Sequence, residues 1–113
     1  MNLRPFLRVC AIAASLLGGA VVWAQDLPTF KLLIRAGHFV PATLEVPANT
    51  KFRLLITNEG PGAEEFESIE LRKEKVLAPG ASSFLIFQPL KAGTYKFFGE
   101  FHPETAQGQI VAK

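Results

Sequence analysis

The sequence has very little of the residue types that cross-link a chain or carry electrons. One cysteine, Cys10, and one methionine, Met1, occur in 113 residues, both at the amino end. A domain built from the remainder has no disulfide and must be stabilised by its core. It also has no thiolate to offer as metal ligand or nucleophile. Histidine is nearly as scarce, with only His38 and His102. No Ser/His/Asp or Cys/His nucleophile set can be assembled from so few, which argues against hydrolytic catalysis and leaves an enzymatic role open but disfavoured. A long run of helical period is missing as well. So is an excess of charge. Without Arg4 and Arg8 the twelve basic residues fall to ten, equal to the ten acidic ones, and no Arg/Lys-rich face emerges for nucleic acid.

What the amino end does contain reads as an export signal. Arg4 and Arg8 give a basic start, and Val9 to Val22 is apolar apart from Ser15. That run is shorter than the roughly twenty residues a spanning helix needs. Val22-Trp23-Ala24 then places small residues at −3 and −1 for cleavage before Gln25. The expectation is a signal peptide over residues 1–24 and a single domain over 25–113 in the periplasm, not itself transmembrane once cleaved. Cys10 would leave with the peptide.

Along that domain the apolar residues recur at every second position, the period of a strand with one buried face. Phe30, Leu32 and Ile34 give a first strand. Leu44-Glu45-Val46, framed by Pro41 and Pro47, suits a sheet edge. Phe52, Leu54 and Ile56 give a third strand, closed by Asn58-Glu59-Gly60-Pro61-Gly62. Ala63 to Leu77 is charged and without a clean period, so Ser68 to Lys75 reads as an edge strand or one turn of helix. Phe84 and Ile86, Tyr95 and Phe97, and Ile110 and Ala112 complete the pattern. About seven short strands between Pro/Gly turns predict an all-β antiparallel sandwich.

Between the last two strands Glu100, His102 and Glu104 stand at alternate positions, with Phe98 and Phe101 as an aromatic lid. The stretch Phe39 to Ala48, the strand ending at Asn58, Gly93-Thr94-Tyr95-Lys96-Phe97 and the His102 loop together resemble the cupredoxins, Greek-key β-sandwiches. Glu65-Phe66-Glu67-Ser68, Leu71 to Val76 and Phe98 to Gly108 are similar in particular to the EfeO-type cupredoxin-like domains, which include small periplasmic proteins of bacterial iron-uptake systems working beside an iron permease. The departures from the blue-copper pattern are plain. Gly99 stands where that pattern has its Cys, Glu64 and Glu65 stand at the first-ligand His, and His102 alone keeps a recognisable ligand position. Ordinary blue-copper electron transfer is excluded, since a type-1 site requires the thiolate.

The resemblance implies a metal-binding accessory protein of an iron-uptake system, with copper or iron as its ion and the permease or another periplasmic component as partner. Carboxylates and imidazole form a hard donor set that suits Cu(II), Fe(II), Fe(III), Mn(II) or Zn(II). Glu65, Glu67, Glu100, His102 and Glu104 would converge if the two loops share an end of the sandwich, with His38 as a further candidate. Each has a plainer alternative. His102 caps a turn, Glu65 and Glu67 are solvated strand residues, Glu100 bonds backbone amides or Arg72, and Glu104 and His38 are surface groups. Two rival functions follow: copper-dependent ferroxidase-like turnover, or a metal-free module that docks a partner through Arg72-Lys73-Glu74-Lys75.

Overall fold

The computed structural model describes residues 27–113. The expected signal peptide lies outside the described residues. Nine strands are present among the described residues: β1 (Thr29–Arg35), β2 (His38–Val40), β3 (Thr43–Val46), β4 (Phe52–Asn58), β5 (Glu64–Ser68), β6 (Lys73–Leu77), β7 (Ser82–Phe87), β8 (Gly93–Phe98) and β9 (Gln107–Ala112). They form two sheets, in the orders β2-β1-β4-β7 and β3-β9-β8-β5-β6. The all-β sandwich expected from the sequence is therefore observed, with two corrections. Nine strands stand where about seven were expected, the additional ones being the three-residue β2 and the acidic β5. The sheets are also mixed, because β1 pairs with β4, and β3 with β9, in parallel.

Alternation explains the core. In β4, Phe52, Leu54, Ile56 and Asn58 are buried while the residues between them are half-buried. Phe66 of β5 is fully buried, with its ring 4.8 Å from Phe97, 6.3 Å from Phe39 and 6.4 Å from Phe87. Phe87 stacks on Phe52 at 4.8 Å and 5°. These rings join the sheets across the interior and supply the apolar burial that disulfides would otherwise supplement. Leu44 and Val46 are buried on β3, which is an edge strand as expected.

The segment from Ala63 to Leu77 corrects the sequence reading most. It is a hairpin, β5 and β6, turned at residues 69–72 with Arg72 at φ 55. β5 lies inside its sheet, and only β6 is an edge. One polar side chain fixes the entrance to this hairpin. Buried Asn58 donates from Nδ2 to the carbonyls of Gly62 (2.9 Å) and Leu77 (3.0 Å), and its Oδ1 accepts from Gly60 N–H (2.9 Å). Asn58→Ala should cost about 2 kcal/mol in a denaturant titration, because it strands the Leu77 carbonyl and the Gly60 amide away from water.

Candidate metal centre

Strand β5 reads Glu-Glu-Phe-Glu-Ser, and its alternation sorts the acids. Glu64 shares a face with Phe66 and Ser68 and points toward the interior. Glu65 and Glu67 lie on the outer face of the same sheet. Glu64 and Glu65 are nevertheless both buried, at 1% and 2% exposure. Glu65 is covered because the loop that follows β8 folds back over β5. The loop closes at its base through Gly99 N–H to Ala106 O (2.8 Å). Within it Ala106 N–H donates to His102 O (2.7 Å), and the Thr105 hydroxyl ties it to Gly37 O in the β1–β2 turn (2.8 Å).

Two of the loop's amides grip the acids. Glu100 N–H donates to Glu65 Oε1 at 3.0 Å, and Phe101 N–H donates to Glu64 Oε1 at 3.1 Å. As a result one carboxylate oxygen from each of Glu65, Glu67 and Glu100 lies within 4.8 Å of the others. Burial pushes the Glu65 carboxyl up from an ordinary 4.5 to about 7. A hydrogen bond to Glu67 and the charges of Glu67 and Glu100 push the same way, against the Glu100 amide. Near neutral pH the Glu65 carboxyl is therefore poised between its protonated and ionised forms. Three hard oxygen donors, one of them with an exchangeable proton, form a set that a divalent or trivalent cation can take over by displacing it.

The structure brings together three of the six expected ligands. His102 is not in that trio. Its side chain is half exposed, and its Nδ1 pairs with Glu64 Oε2. Glu104 is exposed in the loop, outside the trio. His38 is exposed on the edge strand β2, opposite Arg35. His102 thus lies beside Glu64 and not in the trio, because alternation along β5 sends Glu64 and Glu65 to opposite faces. The alternative pairing of Glu100 with Arg72 is absent from the ion pairs of the described residues. Phe101, expected as half of an aromatic lid, is 48% exposed. Sequence reasoning left Glu64 out of the candidate set. Its phase with Phe66 is the one feature that points inward, and the charged stretch around β5 masks it.

At Gly99 the blue-copper thiolate has no room. A Cβ there would lie 2.6 Å from Glu64 Oε1 and 2.9 Å from Ala106 Cβ. No cysteine or methionine occurs among the described residues.

Comparison with known proteins agrees with this frame. A family profile described as "Cupredoxin-like domain" matches residues 7–112. An uncharacterised protein of Rickettsia prowazekii (strain Madrid E) is 48% identical over 81 residues, which is 72% of this chain and 65% of that protein. The chain thus spans 65% of that relative's length. Among solved structures, auracyanin A, a "blue" copper protein from Chloroflexus aurantiacus, superposes with a TM-score of 0.63 at 16% identity, covering 75% of this chain and 98% of that one. A purple cupredoxin from Nitrosopumilus maritimus gives a TM-score of 0.55 at 20% identity, over 74% and 98% of the two chains. At such identities the likeness is one of fold.

Proposed function

The chain belongs to the cupredoxin-like domain family, and on that premise we propose that it is an exported metal-binding accessory protein of a bacterial iron-uptake system. In this reading Cu(II) or iron is held by Glu65, Glu67 and Glu100. The observation that carries it is the meeting of these three carboxylates within 4.8 Å, one of them almost wholly buried. A type-1 copper centre does not fit: the donors are oxygens, and Glu64 fills the space beside Gly99. A hard ion does fit. Such a site takes an ion up and lets it go as the Glu65 proton leaves and returns. That behaviour suits capture and hand-over to a membrane permease better than sustained electron transfer. The EfeO-type resemblance of residues 98–108 supports the iron-uptake setting.

Thermal melts of the folded domain with chelator, Cu(II), Fe(III) or Zn(II) test the reading. An ion that binds only the native state at about ten times its Kd adds about 1.4 kcal/mol, roughly 5–10 °C for a domain of this size. Glu67→Gln and Glu100→Gln should each remove most of that shift. Identical melts in every condition would sink the metal site.

A second reading, docking without metal, is favoured by the edge of the same sheet. Ile69 and Val76 are 73% and 56% exposed, beside exposed Arg72 and Lys75. Loss of partner binding in Arg72→Ala, with melts indifferent to ions, would favour it over the metal site.

A further inference from the structure

Four strands end a sheet among the described residues, β2, β7, β3 and β6, and three of them are guarded. An open strand edge offers unpaired backbone groups to any other chain, and proteins blunt it with short strands, prolines or charge. β2 has three residues and runs into Pro41. β3 lies between Pro41 and Pro47, with Glu45 paired to Lys113 at 2.9 Å. β6 reads Lys-Glu-Lys-Val-Leu. β7 has none of these devices. Its six residues, Ser-Ser-Phe-Leu-Ile-Phe, carry no charge and include no proline. β4 takes one side of it, in register from Phe52 opposite Phe87 to Thr57 opposite Ser82. On the other side no backbone hydrogen bond is made to Ser82–Phe87 among the described residues. In an antiparallel strand alternate residues turn both N–H and C=O the same way, so every second residue of β7 presents its donor and acceptor outward.

The surroundings of this edge are cationic. The register of β6 against β5 puts Lys75 opposite Phe66 and Lys73 opposite Ser68, which turns both lysines to the inner side of the sandwich. β6 is the last strand of its sheet and packs beside β7. There Lys73 Nζ lies 5.5 Å from the centre of the Phe87 ring. The chain doubles back from β6 to β7 through Ala78 to Ala81, so Lys75, two residues nearer that turn than Lys73, stands beside the middle of β7. On the outer side Phe84 is 53% exposed, with the Arg53 guanidinium 5.3 Å from its ring centre. Strands β1, β2, β4 and β7 contain no acid, and Glu74, opposite Glu67, faces away from β7 on the outer side of β6.

We propose that the open edge of β7 receives an extended acidic segment of a partner protein as an added strand. Main-chain hydrogen bonds along the edge hold it. The two-residue period sets its sequence, because its inner side chains meet Lys73 and Lys75 while its outer ones meet Phe84 and Ile86. The segment therefore alternates acidic with apolar residues. A second copy of this chain is the poorer occupant, since pairing β7 with itself brings two sets of Lys73, Lys75 and Arg53 to one seam. The edge lies apart from the Glu65–Glu67–Glu100 trio and does not depend on any ion.

A blocked peptide of alternating glutamate and valine, titrated with chelator present into isotope-labelled protein, tests this by NMR. The β7 amides should shift, and those facing the open edge should exchange with solvent more slowly as peptide is added. Lys75→Glu, at an exposed side chain, should weaken binding roughly tenfold, because it replaces an attraction by a repulsion. Lys96→Glu makes the same change of charge on the outer face of the other sheet and should leave binding as it was. No response of β7 at millimolar peptide, equal binding of a lysine–valine peptide, or unchanged binding in Lys75→Glu would each overturn the proposal. So would β7 amides whose protection rises with protein concentration alone, which would give the edge to a second copy.

Discussion

The metal-free domain should melt at a lower temperature at pH 8 than at pH 5, and a bound cation should remove or reverse that order. The cause is Glu65. Its carboxyl titrates near 4.5 in an unfolded chain but at about 7 in the fold, chiefly because burial penalises the charge. Between those values the native state binds more protons than the unfolded one, so stability is present at low pH and falls as pH rises through the window up to about 7. The loss should be on the order of 2–3 kcal/mol for the group alone. Glu65→Gln is neutral at every pH. It should flatten this part of the profile, exceed the wild type in stability at pH 8 and lose the ion-induced shift. In the wild type an ion must compete with the Glu65 proton, so its apparent affinity should tighten roughly tenfold from pH 6 to pH 8 and little above. A metal-free wild type that equals or exceeds Glu65→Gln in melting temperature at pH 8 would remove Glu65 from this role.

The same residue shows how far the sequence could be read. Wherever one face of a strand is apolar, the period of two was visible: Phe52, Leu54 and Ile56, or Tyr95 and Phe97, announce their strands and their buried sides. β5 gave no such signal, because an acid occupies an interior-facing position. Glu64 stands in phase with Phe66 and is accepted there only because Phe101, Glu65 and His102 supply donors, two of them from a loop distant in sequence. β2 is too short, at three residues, for any period to register. The parallel pairings of β1 with β4 and β3 with β9 are non-local and leave no mark on either segment alone. Of the candidate ligands, Glu65, Glu67 and Glu100 were identifiable as an acidic block and a loop acid. That they meet while His102 turns to Glu64 depends on which way each side chain of β5 points. Register decides this, and the charged, aperiodic stretch around it hid the register.

Gly99→Cys, which puts a thiol at the position where the resemblance to the blue-copper pattern would place one, should cost about 3 kcal/mol and leave no strong copper–thiolate absorption. The new Cβ would lie 2.6 Å from Glu64 Oε1, 2.8 Å from its Cδ and 2.9 Å from Ala106 Cβ. Ala106 is fully buried at the closing hydrogen bond of the loop and has nowhere to move. Glu64 can move only by releasing the Phe101 and Glu65 amides and His102, which adds stranded buried donors to the cost of overpacking. The thiol is then one soft donor beside a displaced carboxylate, short of the two imidazoles a type-1 site requires. The cause can be isolated with a smaller side chain. Gly99→Ala and Glu64→Ala should each destabilise, but the double variant should cost less than their sum, since removing the carboxylate also removes the main clash. Urea melts of the four proteins measure this coupling. Strictly additive costs would mean that Glu64 does not occupy the space beside Gly99, and the steric explanation of the missing thiolate site would fall with it.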